Sequence, residues 1–200
     1  MHFHRHHHRA DLLRIAQHTM TEHGLEPEFS ARVQQQLSAL SAPDHAADAQ
    51  IENLTHLLWC SIDNDDSLDL DQLTVCEPLA DGAVRLLVAI ADVDALVKKG
   101  TPIDDHARLN TTTVYTSARI FSMLPERLST DLTSLNPQED RLALVTEMVF
   151  DADATLARFS VCRALVHNHA KLAYDAVAAW LDGEGELPEA AARVPGMAEQ

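Results

Sequence analysis

The sequence predicts an α+β fold, with a mixed, largely antiparallel β-sheet core, packed helices, and a small helical module ahead of it. Three observations predict it. The first fifty residues carry apolar side chains at helical spacing. From about residue 54 the period falls to two. The strand-like runs that follow are joined by short turns, PLADG at 78–82 and DADA at 151–154, as antiparallel neighbours are. With 200 residues, 46% of them apolar, the chain has material for one to two domains and a real core.

Residues 1–10 form a His-rich tail containing His2, His4, His6, His7 and His8. It reads as solvated chain outside the fold, with adventitious zinc or nickel binding as its chemical alternative. Over residues 10–23, Leu12, Leu13, Ile15, Ala16 and Met20 share a helix face, and Gly24 is placed to stop the helix. Phe29, Val33, Leu37 and Leu40 repeat the pattern over 27–40, with Pro27 in the first turn. This pair resembles part of a helix-turn-helix, but no third helix is evident to complete a groove-reading module. SAPDHAADAQ at 41–50 reads as a linker closing the 10–50 module.

Next come a strand-like run ending in acid, LTHLLWCSID, an alternating strand, LDLDQLTVCEP, and a buried strand over 83–93, AVRLLVAIADV. TPIDDHARLNTTTVYTS starts as a helix and returns to extended chain near Thr113–Thr116. Pro125 opens a short helix, two strands flank DADA, and a helix is expected from about 169 to its stop at Gly183. The tail after Gly183 loses its periodicity.

Composition narrows the function. No run of 18 apolar residues exists, so no membrane-spanning helix is expected. The N-terminus lacks the apolar stretch of a secretory signal. Cys60, Cys76 and Cys162 fit neither a disulfide framework nor a zinc motif, which points to a reducing cytoplasm. The formal net charge of −16 argues against loose electrostatic binding to nucleic acid. The excess is uneven: residues 51–100 carry ten acidic and three basic side chains.

That excess centres on Ser61–Gln72, where Asp63, Asp65, Asp66, Asp69 and Asp71 place five carboxylates in twelve residues. Carboxylates so dense repel one another, and a hard divalent cation such as Mg²⁺ relieves the repulsion through oxygen ligands. In extended chain Asp69 and Asp71 share one face and Leu68 and Leu70 the other, with Asp63 returning from the preceding strand end. An EF-hand loop fails, because Leu68 stands at its glycine position and Thr74 at its bidentate glutamate. A merely solvated loop gives no reason for the interleaved leucines.

The segment and its successors resemble the ribonuclease II and ribonuclease R (RNB) family of processive 3′→5′ exoribonucleases. The family's aspartate signature is matched by Asp63, Asp69 and Asp71, with Gln72 where a fourth aspartate is usual. Val88-Ala89-Ile90-Ala91-Asp92-Val93, Gly100-Thr101-Pro102-Ile103-Asp104, Ala107-Arg108 and Thr112-Thr113-Val114-Tyr115 follow in the family's order. So do Met123-Leu124-Pro125-Glu126-Arg127-Leu128-Ser129, Ser134-Leu135-Asn136-Pro137, Asp140-Arg141-Leu142 and Ala170-Lys171-Leu172-Ala173-Tyr174.

The resemblance implies that residues 51–200 are an RNB-type catalytic domain, expected to be incomplete at its C-terminal end. It implies Mg²⁺-dependent hydrolysis, with Mn²⁺ as a substitute, of RNA bearing a free 3′ end, single-stranded or partly structured, to nucleoside 5′-monophosphates. Asp63, Asp69 and Asp71 are then the metal and catalytic carboxylates, and Tyr115 the aromatic residue orienting the terminal nucleotide. Arg119, Arg127 and Arg141 are candidate RNA contacts, with internal ion pairing as the alternative for each. Asp92 is read as structural. A cytoplasmic monomer is expected. Gln72 sustains a second reading, a weakened or inactive RNA-binding relative. A metal-binding regulatory protein is a third, which the Leu-Pro-Glu-Arg-Leu-Ser block disfavours.

Overall fold

Alternating side chains decide the strands. The computed structural model describes residues 3–41 and 50–200, with side chains from residue 10 onward. In chain order the elements are helices α1 (Phe3–Glu22) and α2 (Ala31–Ala39), then strands β1 (Glu52–Asn53), β2 (Cys60–Asp63), β3 (Gln72–Pro78) and β4 (Val84–Ala91). Helix α3 (Pro102–Asn110) precedes strands β5 (Val114–Tyr115), β6 (Ile120–Phe121), β7 (Asp140–Phe150), β8 (Leu156–His167) and β9 (Ala170–Ala173). Helices α4 (Tyr174–Leu181) and α5 (Glu189–Ala192) follow, and a 3-10 turn at Met197–Glu199 comes after them. These elements sort into two compact units, the described residues of 1–42 with 96–128, and those of 43–95 with 129–200.

In the first unit, α1 ends where Gly24 takes φ +76° and Leu25 N donates to Met20 O at 2.9 Å, a closure that a Cβ would strain. Helix α2 begins at residue 31 rather than near Pro27, because Ser30 is the better cap: its hydroxyl accepts from Val33 N. Met20 and Val33 are buried on these helices. A third helix does join them, drawn from later in the chain: Ile103 at the start of α3 is fully buried, and its N–H donates to Gln36 Oε1 at 2.9 Å. Strands β5 and β6 form a separate two-stranded ribbon.

From Phe3 the backbone of the His-rich tract is helical and continuous with α1. Its side chains, and most of the linker expected at 41–50, lie outside the described residues.

The second unit is a seven-stranded mixed sheet in the order β1-β8-β7-β4-β3-β2-β9. The four inner pairings are antiparallel, and β1 with β8 and β2 with β9 pair in parallel at the two edges. One sheet face holds the core: Leu73 and Val75 from β3, Leu87 and Ala89 from β4, Ala143 and Val145 from β7, and Ala164 and Val166 from β8, covered by Leu57, Trp59, Leu70 and Leu135. Burying each large side chain there contributes about 1.5–3 kcal/mol. The strand over 84–91 is buried on this face only, for Ile90 is exposed.

Three local expectations change. The run from Leu54 becomes strand only at Cys60, because Trp59 Nε1 donates back to Leu54 O at 2.8 Å and folds 54–59 into a turn. The helix expected from 169 starts at Tyr174, because Ala170–Ala173 is taken up by parallel pairing with β2. The tail after Gly183 is ordered: Ala191 and Met197 are buried against Cys60, Ala170 and Leu172.

Candidate active site

The carboxylates are brought together by two strand ends. Strand β2 delivers Asp63 at its last residue, and β3 begins one residue after Asp71. Both aspartates line a cavity of about 260 Å³ with Ser61, Ile62, Leu70, Gln72 and Tyr174. All seven residues belong to the second unit.

The intervening segment is not the strand its alternation predicts. Strand pairing starts only at Gln72, and Leu68 is exposed while Leu70 is buried in the core. The reason is competition from outside the sheet. Ser134 Oγ accepts from Leu70 N and donates to Leu68 O, and Leu135 N donates to Leu70 O at 2.7 Å. These contacts hold Leu70 inward and bend the chain before β3. Asp71 is anchored separately, its carbonyl accepting from Ala91 N at 2.9 Å.

Electrostatics follow from this crowding. Burial pushes the Asp71 carboxyl above the usual carboxylate range. The negative charges of Asp63 and Asp69 push it the same way, against a hydrogen bond within Asp71 itself. Asp63 Oδ1 accepts from Asn64 N at 2.7 Å. Asp69 is solvent-exposed and does not line the cavity, so the structure joins Asp63 and Asp71 directly and Asp69 through its field.

Among the described residues, no three His, Cys, Asp or Glu side chains form a ready-made metal cage. The donor chemistry still fits Mg²⁺, which is commonly held by one or two carboxylates and completes its shell with water and phosphate oxygens. Two hard oxygen donors facing one cavity, with a third carboxylate raising the negative potential, meet that requirement. Gln72 lines the same cavity with a neutral amide.

The remaining candidates are placed differently. Tyr115 lies in the first unit on β5 with its side chain 70% exposed. The three arginines have internal partners. Arg119 pairs with Glu28 and lies over the Phe121 ring. Arg127 donates to the carbonyls of Leu37 and Leu40 at the end of α2. Arg141 donates to the carbonyls of Ser134, Asp131 and Asp140 and pairs with Glu139. Asp92 has the structural place expected of it: buried, it accepts from Ala95 N and pairs with Arg163 at 2.6 Å.

Sequence reasoning did not single out Tyr174 or Lys171. Asp63 pairs with Ala173 across the parallel β2–β9 ladder, so the next residue, Tyr174, stands at the cavity. The signal was available in the Ala-Lys-Leu-Ala-Tyr block, but reading that block as helix concealed it.

A family model for the RNB domain matches residues 51–200. Ribonuclease R of Escherichia coli is 39% identical over 159 residues, covering 78% of this chain and 19% of that protein. Exoribonuclease 2 of Salmonella heidelberg is 36% identical over 168 residues, covering 84% and 25%. The chain thus spans about a fifth to a quarter of the length of these relatives. The structure of Mycoplasma genitalium RNase R in complex with double-stranded RNA superposes with a TM-score of 0.78 at 31% identity, over 84% of this chain and 30% of that one. Yeast Ssd1, a pseudonuclease, shares the fold at 17% identity and a TM-score of 0.62, over 78% of this chain and 20% of that one. With three quarters of its length matched by the family model and its strand-end aspartates at the signature spacing, the chain belongs to the RNB-domain family.

Proposed function

We propose that the chain carries the carboxylate centre of a hydrolytic 3′→5′ exoribonuclease that shortens RNA to nucleoside 5′-monophosphates. One observation carries the reading: Asp63 and Asp71 reach a single cavity from two strand ends with their mutual repulsion unrelieved. Asp63 and Asp71 would hold Mg²⁺, with Asp69 adding negative potential and Mn²⁺ serving as a substitute. When bound, the ion lowers the pKa of an attacking water and screens the charge of the scissile phosphate.

The chain's own residues supply the rest. The carboxylates of Asp63 and Asp71 orient water in the cavity they line. Tyr115 offers an exposed ring on which a terminal base stacks, a contact worth about 1–3 kcal/mol. The free thiols of Cys60, Cys76 and Cys162 support a reducing, cytoplasmic setting. The proposed substrate is RNA with a free 3′ end, and the proposed acting form a monomer.

Gln72 favours a second reading. It stands in the cavity where the family pattern has another carboxylate, so the metal site is weakened and the protein binds RNA with little or no cleavage. Incubation of the protein with 5′-labelled single-stranded RNA and Mg²⁺, beside Asp71→Asn, separates the two. Stepwise shortening that the substitution abolishes supports the enzyme. Binding without shortening supports the inactive relative and overturns the first reading.

A further inference from the structure

We infer that Lys171 is a positioning residue that holds the acidic loop in its working shape through the loop's main chain. Lys171 Nζ donates to Asp65 O at 3.0 Å and to Ser67 O at 2.7 Å. Both donations grip the turn that Ser67 N closes on Asn64 O at 3.1 Å. The lysine is set for this by the sheet: it pairs with Ser61 in the parallel β2–β9 ladder, two residues before Asp63.

The choice of carbonyls matters. A lysine among five carboxylates would ordinarily pair with one of them. Lys171 instead spends two donors on backbone oxygens, so it restrains the loop while the carboxylates keep their oxygens. Ser134 grips the far end of the same loop at Leu68 and Leu70. The segment between Asp63 and Asp71 is therefore clamped at both ends through its backbone. Unclamped, its like charges would drive it apart.

This inference rests on the exoribonuclease reading, and its test is chosen to separate the two. Lys171→Ala and Lys171→Arg are compared with wild type in three measurements: kcat and KM on labelled RNA with Mg²⁺, amide hydrogen exchange, and Mn²⁺ binding by electron paramagnetic resonance without RNA. Supporting-shell losses of this kind typically cost 10–100-fold. Lys171→Ala is expected to lower kcat about 10–100-fold with KM within about twofold. Exchange at the Ser67 amide should accelerate while β4 and β7 keep their protection. Arginine, which can also bridge two carbonyls, should restore most of kcat.

Mn²⁺ binding isolates geometry from charge. Removing a cation by itself tightens the binding of another cation, so weaker Mn²⁺ binding in Lys171→Ala supports positioning and tighter binding overturns it. Wild-type exchange at Ser67 also overturns it, as does protection lost across the whole sheet without rescue by arginine. If wild type fails to shorten RNA, the exoribonuclease reading falls, and exchange and Mn²⁺ binding still decide the role of Lys171.

Discussion

Ser134 holds Leu70 by its side chain, Oγ accepting from Leu70 N at 3.0 Å, and the next residue, Leu135, donates its N–H to Leu70 O at 2.7 Å. The pair fixes where the acidic loop ends and β3 begins. Ser134 is buried, so its replacement by alanine leaves the Leu70 N–H without that partner inside the protein. An unsatisfied buried donor costs about 1–3 kcal/mol. Ser134→Ala is expected to lose about that much in urea unfolding, together with RNA cleavage. A variant with wild-type stability would show that water replaces the hydroxyl.

Asp71 is predicted to trade stability for function. Its carboxyl titrates above the ordinary range because burial, Asp63 and Asp69 disfavour its charge. A raised carboxylate pKa means the folded state binds the proton more tightly than the unfolded state. The resulting penalty is present above the folded pKa and is relieved as pH falls through it. Asp71→Asn should therefore be more stable than wild type at pH 7, by about 0.5 kcal/mol after solvent screening of this partly exposed group. The two should converge below about pH 4, near ordinary carboxylate values. RNA shortening should vanish in the variant. A lower stability at pH 7 would contradict the electrostatic account.

The same charges predict metal-linked stability. A cation that binds only the folded state at ten times its Kd adds about 1.4 kcal/mol. Mg²⁺ should raise the thermal midpoint of wild type and leave Asp71→Asn nearly unmoved, as read by calorimetry. Equal shifts in both proteins would place the ion elsewhere.

Legibility in the sequence tracked locality. Strands β3, β4, β7 and β8 stand within the runs that period two marks, because their pairings with one another are antiparallel and two of the three, β3–β4 and β7–β8, join strands consecutive in the chain. Strand β9 was hidden. Ala170–Ala173 reads into the helix former that follows, and only its parallel partner β2, more than a hundred residues earlier, makes it a strand. Leu68 and Leu70 share a face by alternation, yet Ser134, far along the chain, sends only Leu70 inward. The arginines show a different limit. Charge at residues 119, 127 and 141 is visible in the sequence, but the carbonyls of Leu37, Leu40 and Ser134 that engage two of them are not.

Gln72 offers a gain-of-function prediction. It lines the cavity beside Asp71 with a neutral side chain. Ligand charge count tunes the affinity of oxygen sites for divalent cations. Gln72→Asp should lower the Mg²⁺ concentration for half-maximal cleavage by about three- to tenfold. It should also lower stability in metal-free buffer, since a further carboxylate joins Asp63 and Asp71. An unchanged Mg²⁺ requirement would show that the amide already serves as an adequate donor or faces away from the ion.

A final prediction concerns the sheet remote from the carboxylates in sequence and register. Glu147 on β7 accepts from Arg85 on β4 at 2.6 and 3.0 Å and from Arg158 on β8 at 2.9 Å, tying three adjacent strands. The Arg85 guanidinium holds the Glu147 carboxyl below its usual range, with Arg158 helping and partial burial opposing. A depressed carboxylate pKa contributes stability that is present above the unfolded value, about 4.3, and is lost as pH falls through the folded value. The side chain of Glu147 is 18% exposed, so the interaction is only partly screened. Glu147→Gln should cost about 1–2 kcal/mol at pH 7. The cost should shrink as pH falls through the folded value, measured by urea unfolding at pH 7 and at successively lower pH. Because Glu147 does not line the cavity, kcat should be preserved at temperatures where the variant is folded. A cost that does not change with pH would mean that packing of the side chain, and not its charge, holds the three strands.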